Sequence, residues 1–86
     1  MTAFPLYPIS DDEAMKVANA FRYHAPIPGQ EEKYEELRDS GSYLATRMLN
    51  LCPPSRERSL AMTKLEESIM WANAAIARNE TVKPQE

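Results

Sequence analysis

Two glycines, one cysteine and one histidine are all that these 86 residues hold of three residue types that build many active sites. With one cysteine, Cys52, no internal disulfide and no cysteine-based metal site can form. With one histidine, His24, a metal would lack partners of the His/Cys type. Gly29 and Gly41 lie too far apart for a phosphate-cradling glycine loop. No apolar run is long enough to cross a bilayer, and the first residues carry no signal-peptide pattern. Cations are also short. The net charge of −3 argues against binding DNA or RNA polymers, which favour a basic surface. A small anionic ligand remains compatible, since it needs only a few local cations.

What is present suits one small folded domain. Hydrophobic residues make up 43% of the chain, too many for a disordered one. A core built from so short a chain is marginal, and oligomerisation is the usual remedy where disulfides and metals are ruled out. The expected class is all-α: a short N-terminal helix and a long antiparallel helical hairpin, assembled as a homo-oligomer.

The chain divides into an extended arm (1–9), a single helical domain (10–79) and a polar tail (80–86). Two prolines keep the arm from starting as helix. Ser10 with Glu13 forms a capping box, and Asp11 and Asp12 suit the positive end of the helix that follows. Ala14, Val17, Ala18 and Phe21 give this helix an apolar face, running to about Arg22. Pro26, Pro28 and Gly29 then mark a loop. A second helix is expected from Gln30 to Leu51, with a stripe of Tyr34, Leu37, Gly41, Leu44, Met48 and Leu51. Pro53 and Pro54 break it, with Cys52 a small apolar filler at its end, and Ser55 caps a third helix reaching Asn79. Met62, Leu65, Ile69, Ala72 and Ile76 line one side of that helix. Leu60, Met70 and Trp71 lie off the stripe, so it is apolar on more than one side. That pattern predicts packing within the chain on one face and against a partner on another.

For chemistry, the paired glutamates 31–32, 35–36 and 66–67 read as solvated helix faces. Arg56 and Arg58 occupy the first turn of the third helix. That end disfavours cations but suits an anion, which would meet free backbone N–H groups and guanidinium forks together. The competing reading for Arg58 is a salt bridge to a glutamate of a neighbouring helix. Thr63, Lys64 and Asn73 are polar residues on a largely apolar helix. Arg38 and Arg78 are ambiguous between ion pairs and ligand contacts, and Arg78 also suits the negative end of its helix. Tyr23 could stack on a base or cover the end of the hairpin.

Three stretches together resemble a known family. They are Phe21-x-Tyr23-His24-x-Pro26 with Gln30, Tyr34 and Leu37-Arg38; Pro53-x-Ser55-x-Glu57-Arg58-Ser59-x-Ala61; and Leu65-Glu66 followed by Met70-x-Ala72-Asn73-Ala74-x-Ile76-Ala77-Arg78. They are similar to the hairpin domain of phage anti-CBASS sponges, shared with an anti-Thoeris sponge, over about residues 20–79. The resemblance implies a non-enzymatic protein without cofactors or metal. It would sequester cyclic di- or trinucleotide immune signals, such as cGAMP, in the cytoplasm of the infected bacterial host. It also implies a homo-oligomer, commonly a hexamer, with pockets between protomers and no membrane or polymer partner. In that light Tyr23 becomes a base-stacking residue, Arg38 a phosphate contact and His24 a hydrogen-bonding group. Arg58, Thr63 and Lys64 become a polar patch, with Arg78 at the far end of the same helix. Three alternatives stay open: a hairpin that binds a protein partner, a sponge for cyclic ADP-ribose-type signals, and a cyclic-nucleotide hydrolase, which the missing metal ligands disfavour.

Overall fold

The computed structural model describes residues 6–80, which form α1 (Asp11–Phe21), α2 (Gln30–Leu51) and α3 (Arg56–Asn79), with no strand among them. The all-α hairpin expected from the pattern is the observed fold. Parts of the expected arm (1–5) and tail (81–86) lie outside the described residues. Leu6, Tyr7 and Ile9, which are described, are exposed.

Each boundary has a local cause. Ser10 accepts from the Glu13 backbone N–H at 3.1 Å while Glu13 accepts from the Ser10 N–H at 3.0 Å, which is the capping box. α1 stops at Phe21 because Arg22 is extended. The loop then closes through a turn over Ile27-Pro28-Gly29-Gln30, with the Gln30 N–H donating to the Ile27 carbonyl at 3.0 Å. Gly29 sits there at φ 91°, in the left-handed region that the third position of a type II turn demands. The Gln30 side chain reinforces the turn, accepting from the Ile27 N–H at 3.0 Å. At the other end Ser55 accepts from the Arg58 N–H at 3.1 Å and starts α3.

α2 and α3 run antiparallel along one seam, the only extensive contact between elements among the described residues. Gly41 is buried at its middle, and a Cβ there would stand 2.9 Å from Ile69 Cγ1. Around it Tyr34, Leu37, Ala45 and Met48 of α2 are half-buried, against Met62, Leu65, Ile69, Ala72 and Ile76 of α3. The α3 stripe is therefore as expected, whereas the α2 stripe needs correction. Leu44 and Leu51 are 48% and 68% exposed, and Ala45 takes the inward place. A straight helix drifts by roughly 20° per heptad against a strict 3,4 repeat. α3 has settled over the side of α2 with the smaller residues, where the backbones can approach. Cys52 is exposed, so it fills no apolar gap; its N–H caps the helix by donating to the Met48 carbonyl at 3.0 Å.

The chain is one helix layer thick, with extents of 55 × 50 × 17 Å. Its radius of gyration is 18.8 Å, against about 12 Å for a compact domain of this length. No hydrophobic side chain among the described residues is fully buried. α1 buries none of its residues and is tied down by polar contacts instead. Asn19 Nδ2 donates to the Arg78 carbonyl at 3.1 Å, and His24 Nε2 to the Asn19 carbonyl at 2.7 Å.

Candidate functional site

The open end of the hairpin gathers the loop and the last turns of α1 and α3. Glutamine at 30, only 4% exposed, organises it. Its Nε2 donates to the Ile76 carbonyl at 3.4 Å and to Glu80 Oε1 at 3.1 Å. Glu80, expected in the frayed tail, also pairs with Lys33 and so binds the end of α3 to the start of α2. Against this frame lies a recess of about 290 Å³ bordered by Arg22, Tyr23, His24 and Gln30. A second recess of about 490 Å³ lies between α1 and α3, bordered by Asp12, Lys16, Asn19, Arg22 and Arg78. Arg22 borders both.

Three cations thus border the second recess, on an acidic chain. Lys16 is held by Asp12 at 3.1 Å, an exposed pair. No carboxylate among the described residues lies in ion-pair range of Arg22. The Arg78 guanidinium sits 5.7 Å from the centre of the Trp71 ring. That placement holds the cation without neutralising it. Tyr23 is 84% exposed beside Arg22, presenting a free aromatic face. The carbonyl partner of His24 fixes Nε2 as the donor, which leaves Nδ1 for another group.

A separate groove of about 510 Å³ runs along the hairpin face. α2 lends it Arg38, Gly41, Ser42 and Ala45; α3 lends it Thr63, Glu66, Met70 and Asn73 among others. Asn73 Oδ1 is buried there without a hydrogen-bond partner.

The structure distributes the residues singled out in the sequence between these places. Tyr23, His24 and Arg78 gather at the open end, and Arg38 and Thr63 share the groove. The expected polar patch of Arg58, Thr63 and Lys64 does not form. Arg58 Nη1 donates to the carbonyls of Leu49 and Cys52, at 3.2 and 3.1 Å, at the C-terminus of α2. Within the chain it is therefore neither a salt-bridge partner of a glutamate nor a residue of either recess; it completes the hairpin turn. Lys64 points to Glu67 at 3.5 Å and does not border the groove. Arg22 was missed in the sequence. Its signal was its place between Phe21 and Tyr23 at a helix end, a cation flanked by aromatics. Glu66, expected on a solvated face, and Asn73, expected only as a polar residue of a largely apolar helix, both border the groove.

Among the described residues no group of three or more His, Cys, Asp or Glu side chains is placed to hold a metal ion, and no helix is long and apolar enough to cross a membrane. A family model described as the Acb2/Tad1 hairpin domain matches residues 13–77. No curated protein and no solved structure matches the chain.

Proposed function

The chain belongs to the Acb2/Tad1 hairpin-domain family, and on that footing we propose that it is a sponge for cyclic oligonucleotide immune signals, blocking a bacterial anti-phage defence. Members of this family bind signals rather than transform them, so the chain is no enzyme. The observation that carries the ligand class is the cluster at the open end. Arg22 and Arg78 border one recess, with Tyr23 exposed at its neighbour. A cyclic di- or trinucleotide offers phosphates to such guanidinium groups and bases to such a ring. Arg38 and Thr63 supply further contacts in the hairpin groove. The working form is a homo-oligomer, a hexamer by family analogy. Exposed Trp71 and Leu44 on a one-layer hairpin support self-assembly. The place of action is the cytoplasm of the infected host.

Sequestration needs sites that outnumber the signal and outbind its receptor. A Kd near 1 nM corresponds to about −12 kcal/mol. Preplaced cations reduce the ordering cost of reaching it. Calorimetry against cyclic di- and trinucleotides tests the reading, with ligand recovered after heat denaturation and run on a column. Tight binding with intact recovery is expected. Arg22→Ala or Arg78→Ala should weaken it by about 10- to 100-fold, as loss of a charged hydrogen bond of about 1.5–3 kcal/mol dictates. Tyr23→Ala should cost about 1–3 kcal/mol of stacking. Binding of cyclic ADP-ribose-type signals instead would move the ligand class. Linearised ligand would overturn the sponge mechanism.

A further inference from the structure

We propose that the groove between α2 and α3 is a guanine-selective nucleotide seat, with Glu66 as the residue that reads the base. The inference rests on the nucleotide-binding reading above and goes further by naming the base and its reader.

Thr63, Glu66, Met70 and Asn73 recur at intervals of three, four and three, so they form one stripe of α3. All four border the groove. Because Gly41 faces Ile69 across the antiparallel seam, Arg38 stands one turn towards Asn73, and Ser42 lies nearer Glu66. The groove therefore has a cationic end, at Arg38 and Asn73, and an anionic end, at Glu66. Within this stripe Glu66 and Asn73 are roughly 10 Å apart along the helix. That span matches one nucleotide laid along the hairpin, and about 510 Å³ is room for it. Met70 and Ile69 supply apolar surface for a base between the ends.

The donor and acceptor pattern selects the ligand. An ionised carboxylate only accepts. Among the common bases, guanine alone offers two adjacent donors, N1–H and the N2 amine, to one carboxylate. Adenine sets its single amine between acceptors, which a carboxylate repels. Glu66 has no ion-pair or hydrogen-bond partner among the described residues. At the other end Arg38 suits the phosphate. Asn73 Oδ1, buried without a donor, suits a ribose hydroxyl that reaches the groove floor. An orphaned acceptor of this kind gains from any donor that reaches it.

The test measures affinity of the full chain for cyclic di-GMP and cyclic di-AMP, for the native protein and for Glu66→Gln and Asn73→Ala. The native chain should prefer cyclic di-GMP by about tenfold or more. Glu66→Gln keeps one acceptor but sets an amide donor against the second guanine donor, and its donor–acceptor pair suits adenine, so the preference should disappear with affinity for cyclic di-AMP unchanged or raised. Asn73→Ala should weaken both ligands, with circular dichroism reporting an unchanged fold. Binding whose guanine preference is absent, or unmoved by Glu66→Gln, overturns the groove assignment and leaves the sponge reading intact. Failure to bind either compound overturns the assignment. If the wider panel of signals also fails, the sponge reading falls with it.

Discussion

Replacing Gly41 by alanine probes the seam that holds the hairpin together. On helix propensity alone the change stabilises by about 1 kcal/mol. A Cβ at this position would stand 2.9 Å from Ile69 Cγ1 and 3.1 Å from Ile69 Cδ1. The nearer atom is attached directly to the Ile69 Cβ, so it cannot swing away as the end of a long chain would. Relief requires a rotamer change or a shift of one helix, and overpacking of that kind costs about 1–3 kcal/mol. The two effects leave Gly41→Ala destabilising by about 0–2 kcal/mol, roughly 1 at the centre of the range. In an Ile69→Ala background both contacting atoms are gone. There the same change should stabilise by about 1 kcal/mol. The effect thus reverses sign, with a coupling of about 2 kcal/mol, well outside the 0.3–0.5 kcal/mol scatter of independent sites. Urea unfolding followed by far-ultraviolet circular dichroism on the four chains measures it, at one protein concentration so that association does not shift the midpoints. A native chain stabilised by the full propensity gain, or a coupling under about 0.5 kcal/mol, would refute the seam argument.

Three further outcomes follow from contacts at the ends of the helices. Gln30→Leu should cost about 1–3 kcal/mol, because the half-buried Ile27 N–H loses its acceptor and the Ile76 carbonyl a donor; denaturant midpoints at constant slope check this. Arg58→Ala should lose about 1 kcal/mol through two undonated carbonyls at the negative end of α2, with Arg58→Lys recovering part of it by charge alone in a thermal melt. Ser10→Ala should weaken α1 by about 1 kcal/mol. Faster hydrogen exchange confined to α1, with the hairpin melt unchanged, is the expected signature, since α1 buries none of its residues.

The helices were legible because their signals are local. Ser10 with Glu13, the prolines at 53 and 54 and the cap at Ser55 act within four residues, and the bounds of α2 and α3 fell where they implied. The inward face of α2 was less legible. Leucine at 44 outranks alanine at 45 on hydrophobicity, yet the close approach at Gly41 favours the smaller neighbour. Long-range polar contacts left no sequence pattern at all. Asn19 with Arg78, Gln30 with Glu80 and Arg58 with the end of α2 join residues whose proximity exists only after folding. The candidate site shows the same division. Tyr23 and His24 stood out as a motif, whereas the place of Arg22 between two aromatics gained its meaning once two recesses met there.

The thinness of the fold bears on how this protein should melt. Unfolding a single layer that already wets both its faces releases little new apolar surface. The heat-capacity increment and denaturant slope of an isolated chain should therefore fall below those of compact proteins of equal length. A sharp transition would then report the surfaces that copies bury on each other. Its midpoint would rise with protein concentration, because each tenfold rise adds about 1.4 kcal/mol for every subunit that joins another. For a hairpin that assembles as proposed, its own concentration is a term in whether it is folded.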